Sequence, residues 1–265
     1  MGWFVVPDAA IGIESMHYEE HENVPGAPIF DQQDETTTLV TAGVTARSPH
    51  DRWFVRATGD ATVGHSQYTG QTQDGAPLAG NSEVSMIDLE ADGGIREELA
   101  PWLSLSEFVG FGYRRWNRDT RDVPGGNREV YIDGHYVLGV AADARVTRIV
   151  NVGLELAMIP PAILVPEPIA HLDISHTGVF DDITLPLLTD AGITARLRAD
   201  YAIADGWRAT AMVGIVTTQI NNSPARQVTV GGQPGVDGNG QPFTINEPFS
   251  TMRRVQATVG VAYRW

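Results

Sequence analysis

The sequence contains no cysteine and no lysine. Without cysteine, disulfide frameworks, thiolate metal centres and cysteine nucleophiles are excluded. All 18 basic residues are arginine, which removes Schiff-base and P-loop lysine chemistry. Cationic charge is scarce overall. The 18 arginines face 33 acids, for a net charge of -15 and a pI near 4.7, so no nucleic-acid partner is expected, because such binding needs phosphates neutralised. Also missing is any run of about twenty apolar residues; the most apolar window, Leu154 to Val165, is broken by Pro160 and Pro161. A helical membrane protein is thereby excluded. Gly2 to Val6 is too short for a signal peptide and has no basic residue before it, so a mature form is expected. With 42% hydrophobic and 19% charged residues, the 265-residue chain is long enough for a sizeable core and is not a disordered tail.

What the chain does have is period two. Val255, Ala257, Val259, Val261, Tyr263 and Trp265 alternate with Arg254, Gln256, Thr258, Gly260, Ala262 and Arg264, the pattern of a strand with one apolar and one polar face. Ile193, Ala195, Leu197, Ala199, Tyr201 and Ile203 repeat it, as do the stretches from Ile87 to Arg96 and from Trp53 to Val63. The alternation predicts strands at 9–18, 36–47, 53–67, 84–98, 103–116, 129–146, 149–158, 190–204, 207–219 and 250–265. Short connections such as Ser48-Pro49-His50-Asp51, Thr147-Arg148 and Asp205-Gly206 alternate with long polar ones. A soluble sandwich needs neither one-ended loops nor an even strand number. A membrane barrel needs both, because lipid leaves no backbone group unpaired and forces closure. The fold class predicted is therefore all-β: one closed antiparallel transmembrane β-barrel over residues 1–265, in the bacterial outer membrane, with periplasmic turns and extracellular loops. Trp53, Trp102, Trp207 and Trp265 fall at the short-turn ends, where indoles favour the membrane interface.

The terminal run Val255 to Trp265, alternating and ending in an aromatic residue, resembles the assembly signal of Gram-negative outer-membrane barrels. The segment from Phe108 to Trp116, followed by a polar loop and a strand through Tyr131 and Tyr136, is similar to strands of omptin-like ten-stranded outer-membrane proteins. That resemblance implies a location and a fold, with proteolysis as one activity known in the family.

Parity then assigns the lumen. Arg56, Arg96, Arg114, Arg196, Arg198, Arg208 and Arg254 face Asp60, Asp88, Glu90, Asp92, Asp133, Glu155 and Asp200, with Glu14, Glu129 and Arg264 on the same face. Guanidinium forks suit carboxylates on neighbouring strands, so a charge network that closes a narrow lumen is expected. Arg196, Arg198, Arg208 and Arg254 are expected to reach Asp88, Glu90, Asp92 and Asp133. Glu107 alone falls on the lipid-facing parity in mid-strand, which implies a bulge, a shifted register or a protein contact.

The five long loops carry -12 of the net charge of -15, an acidity confined to one end. One loop, from Pro160 to Leu188, opens with the apolar run Pro160 to Pro168 and holds His171, Asp173 and His176. It is expected to fold over the mouth, rest on lipid or dock a protein partner. Outer-membrane lipid and lipopolysaccharide are the other expected partners.

Two constellations resemble catalytic or metal motifs. His17-Tyr18-Glu19-Glu20-His21 has the H-x-x-E-H spelling of a zinc site, but that chemistry needs a helix, so only surface binding through His17, Glu20 and His21 is at issue. Asp133 and His135, with Asp88 and Glu90, are the candidates for the acid pairs of an omptin-like protease, although neither omptin pair matches by local motif. No catalytic set, metal or cofactor is assigned. The predicted role is a surface barrel with a charge-plugged lumen that binds, anchors or supports; the alternatives are a narrow porin-like channel and an omptin-like surface protease.

Overall fold

The computed structural model describes residues 3–21, 29–71, 77–122, 126–161, 167–175, 178–189, 192–236 and 239–264. Ten long strands carry the fold: β1 (Phe4–His21), β2 (Ile29–Arg47), β3 (Trp53–Gln71), β4 (Pro77–Ala100), β5 (Leu103–Asp119), β6 (Arg128–Arg145), β7 (Val150–Ile159), β8 (Gly192–Ala204), β9 (Trp207–Asn221) and β10 (Phe249–Tyr263). Each pairs antiparallel with its neighbours in sequence, and β10 pairs β1 from Asp8↔Ala262 to His21↔Phe249. The result is a hydrogen-bonded ring in which each of the ten strands is paired on both sides, and no α-helix occurs among the described residues.

The burial pattern is that of a soluble protein turned inside out. Ile11, Ile13, Val63, Ile193, Val213 and Val259 are more than half exposed, whereas Glu14, Arg254 and Gln256 are at most 2% exposed. Only a surrounding hydrocarbon makes this sorting favourable, since it covers the outward apolar atoms and hides the charges from it. The apolar outer band covers residues 5–13 of β1, 38–46 of β2, 87–95 of β4, 105–113 of β5 and 255–263 of β10. That matches the nine to eleven residues per strand, roughly, that a bilayer core requires.

Several strands run well beyond the stretches expected from the sequence, β1 at both ends and β4 to 24 residues. Beyond the extracellular edge of the band the alternation persists but its polarity inverts. On β1, Ser15, His17 and Glu19 now face outward while Met16 and Tyr18 are buried; on β5, Arg115 faces outward and Trp116 inward. Above the membrane the outside is water, so the barrel there takes the ordinary arrangement of a soluble sheet.

Four connections at the opposite end are short. The β8–β9 turn closes in two residues, with Gly206 at φ 78, where a Cβ would stand 2.7 Å from the Tyr263 ring. Trp53, Trp102 and Trp207 lie at this end, each about half exposed (56%, 57% and 47%), as an interfacial girdle requires; Trp265 lies outside the described residues. Glu107 is exposed on the lipid face between Ile95 and Val140. Neither a bulge nor a shift occurs there: the irregularity between β4 and β5 falls at Glu98/Ala100, beside the turn.

At the extracellular end β7 stops at Ile159, leaving the top of β6 without that neighbour. The loop between β7 and β8 supplies a substitute: residues 169–173 pair with Arg128–Ile132 of β6, residues 183–186 pair with them, and 188–189 join β9. The loop is therefore part of the wall and folds into the mouth. Its Ala170, Leu172, Leu185 and Leu187, at 5% exposure or less, pack with Met16, Tyr18, Met86, Trp116, Tyr131, Ile220 and Met252 in one apolar core. His171 meets Thr184 at 3.0 Å within the hairpin, and His176 lies outside the described residues.

The lumen as candidate functional site

Inside the ring lie three storeys. At mid-membrane, arginines bridge acids on opposite walls. Arg254 of β10 donates from Nε and Nη2 to Glu14 of β1 at 2.9 and 2.7 Å, and from Nη1 to Asp88 of β4 at 2.6 Å. Arg114 of β5 donates to the other Asp88 oxygen at 2.6 Å, and Gln256 donates to Glu14 at 2.8 Å. A second chain lies beside it. Arg56 of β3 donates to Asp92 at 2.8 Å and to Glu155 of β7 at 2.6 Å, and Glu155 also accepts from Arg196 of β8 at 2.8 Å. Glu90 stands 3.6 Å from Arg56. Between the chains is a void of about 30 Å³ touching Asp60, Asp88, Arg196 and Arg254, large enough for only one or two waters, roughly.

Above it, beyond the lipid band, Arg118 of β5 is 1% exposed and is held by three acids from three strands: Glu20 at 2.8 Å, Asp31 at 2.6 Å and Glu129 at 3.1 Å. Tyr18 donates to Glu20 at 3.0 Å, and Tyr131 donates to a fourth acid, Glu247, at 2.6 Å. One guanidinium among four carboxylates leaves an excess of buried negative charge. Burial pushes the Asp31 carboxyl up to about 7 despite Arg118, and burial likewise raises Glu129 and, further, Glu247. The apolar core and hairpin surround this cluster.

Below the mid-membrane chains the lumen opens toward the short turns as a cavity of about 460 Å³ lined by all ten strands. Arg198 and Arg208 belong here and not to the bridging chains. Arg198 contacts Asp200 at 3.2 Å and Asp143 at 3.9 Å, and Arg208 makes no ion pair among the described residues. Of the four arginines expected to reach Asp88, Glu90, Asp92 and Asp133, only Arg254 does so, through Asp88; Arg196 stops at Glu155. Register is the reason: Arg198 and Arg208 lie progressively nearer the turn, as their partners Met212 and Ala202 show, and fall short of that level. Arg96, near the turn end of β4, is likewise outside those chains, bound to Asp51 and to Ser104.

Of the catalytic candidates, Asp88, Glu90 and His135 line the mid-membrane void, and His135 lies over Gly112 in the row Glu90↔Gly112↔His135. His135 Nδ1 meets Asp133 at 3.2 Å, but Arg114 stands between this pair and Asp88 in the row Asp88↔Arg114↔Asp133. Asp88 is held by two guanidiniums, those of Arg114 and Arg254. His17 and Glu20 face opposite sides of β1: His17 meets Asp34 at 2.6 Å on the outside, whereas Glu20 is bound to Arg118 inside. They therefore do not converge on a metal, and no metal-ligating group of three occurs among the described residues. His17 Nδ1–H donates to the Asp34 carboxylate, which raises the imidazole from its ordinary value and lowers Asp34. The alternation had no means of revealing Arg118, which sits in what reads as a polar loop; the signal available was Met16, Met86, Trp116 and Met252 on the inward parity.

By sequence the chain matches no family model and no curated protein. By structure it is similar to the outer membrane protease OmpT from Escherichia coli, with a TM-score of 0.63 at 10% identity over 99% of this chain and 97% of that one. The translocator domain of the autotransporter NalP from Neisseria meningitidis aligns at TM-score 0.42 and 13% identity over 99% and 88%, and Ail of Yersinia pestis at 0.37 and 7% over the full length of both. At such identity the likeness to OmpT is one of fold. With the apolar belt and the closed ring it defines the class: the chain is a ten-stranded β-barrel of the bacterial outer-membrane type.

Proposed function

We propose that this protein is an integral outer-membrane barrel with a lumen shut to solutes, a surface protein that binds, anchors or supports instead of conducting. One observation carries the reading: arginine bridges join walls four strands apart, Arg254 to Asp88 and Arg56 to Glu155, inside a barrel too narrow to bypass them. The apolar core beneath the folded-in hairpin supports it as a second barrier. The hairpin presents the outer face of its strands, residues 169–173 and 183–186, to the surroundings, which makes it the place for a protein partner, while the belt contacts lipid and its upper edge lipopolysaccharide. Proteoliposome swelling tests the reading. Vesicles bearing the folded barrel should keep their volume in isosmotic arabinose, and swelling at the rate of a general porin would reject it.

A hydrolase reading has in its favour the Asp133–His135 contact at 3.2 Å and the row that sets His135 opposite Glu90 across Gly112. Arg114 beside it argues for a structural role, so a fluorogenic basic peptide should remain uncleaved by the folded protein.

A further inference from the structure

The bridging chains leave a blind cavity of about 460 Å³ beneath them, open to the short-turn side. That size falls within the range of small-ligand sites, roughly 300 to 1,000 Å³. Its walls differ in chemistry. Phe54 and Phe108 with Ala141 form an apolar side, packed on Val137 and Ala157. On the other side, Asp8 of β1 and Arg208 of β9 project from a single cross-strand row, Asp8↔Ala262↔Arg208, with only the small side chain of Ala262 between them. Two strand spacings separate their backbones by about 10 Å. Asp8 makes no hydrogen bond or contact ion pair among the described residues, although Arg198 and Arg56 act on it through space; its carboxylate lies over Gly43, whose missing side chain gives it room, since a Cβ there would stand 2.7 Å from Oδ1. Arg208 likewise has no ion-pair partner among the described residues, and nearby Arg198, although it points into the lumen, is 49% exposed at its side chain.

At mid-membrane Arg56, Arg114, Arg196 and Arg254 are each joined to an acid. Two opposite charges left apart across a small residue, facing an apolar wall, are complementary to a molecule that carries an ammonium, a carboxylate and an apolar group. We propose that the periplasmic cavity binds a small zwitterion with an apolar side chain, an amino acid or very short peptide, its ammonium on Asp8, its carboxylate on Arg208 and its apolar part against Phe54 and Phe108. The site goes beyond the closed-lumen reading and is reached from the periplasm alone.

The test is calorimetric titration of the barrel in nanodiscs, with empty nanodiscs as blank and L-phenylalanine as probe, alongside 3-phenylpropionate, which lacks the ammonium, and 2-phenylethylamine, which lacks the carboxylate. Losing one charge-assisted contact should weaken binding about tenfold or more for either analogue. Asp8→Asn should weaken L-phenylalanine by a similar factor without weakening 3-phenylpropionate, and Arg208→Gln should weaken it without weakening 2-phenylethylamine. Thr210→Trp, which fills the cavity beside Arg208, should abolish binding and guards against a variant that fails to fold; heat-modifiable gel mobility reports folding for all three. No heat of binding for L-phenylalanine, equal affinity for the two analogues and the zwitterion, or indifference to both charge variants would overturn the proposal.

Discussion

Arg254 Nη1 lies 2.6 Å from the Asp88 carboxylate, although the strands that carry them stand four apart in the ring. The same guanidinium clasps Glu14, which is 0% exposed, so one side chain ties the β10–β1 seam to the far wall. Because β10 and β1 are the ends of the chain, the contact also fastens the place where the ring closes. A planar guanidinium that donates from three nitrogens to two walls suits this task better than lysine, which the sequence lacks entirely.

Removing that cation leaves Glu14 charged and buried. Arg254→Gln should destabilise the folded barrel by about 3 to 5 kcal/mol, as for other buried pairs broken on one side. Urea unfolding in lipid vesicles measures it. The double variant Glu14→Gln with Arg254→Gln should recover much of the loss, because neither charge then remains stranded.

The hairpin holds its place by apolar burial. Leu185 is fully buried against the core, and Leu185→Ala should cost about 2 to 5 kcal/mol of local stability through the lost contacts and the cavity left. Leu185→Asp should release the hairpin altogether. Extracellular protease added to whole cells should then cut within residues 169–186 in the aspartate variant and spare the parent.

The acid cluster around Arg118 gives the extracellular half a pH dependence of defined sign. The folded protein keeps a proton on Asp31 up to about pH 7, whereas the unfolded chain releases it near the ordinary value of 3.8. Between those limits the folded state binds more protons, so stability falls as pH rises through this window and levels off above it. Glu129 and Glu247, raised by the same burial, act in the same direction. The midpoint of thermal unfolding should therefore be higher at pH 5 than at pH 7.5, and Asp31→Asn should flatten the slope.

Much of the fold is legible in the sequence because lipid imposes a strict alternation. Val255 to Tyr263 reads correctly as a strand since every second residue must be apolar to face hydrocarbon. The same rule hides the extracellular half. Met16, Tyr18, Trp116 and Tyr131 keep the period but reverse its sense once the outside becomes water, so they read as strand ends or loop. The hairpin at 169–186 is likewise invisible to periodicity, since its short strands become wall only because β7 ends early. Within the lumen, parity identifies which charges face inward but not their height. Arg196 and Arg198, two residues apart, therefore fall in different storeys, one bound to Glu155 and the other lining the cavity.

Single-channel recording in planar bilayers tests the closed lumen most directly. The folded parent should show no stable conducting level, and neutralising the bridges with Arg56→Gln, Arg196→Gln and Arg254→Gln should raise the frequency of openings. Steady, large currents from the parent barrel, unchanged by those substitutions, would contradict a lumen shut by Arg254, Asp88, Arg56 and Glu155.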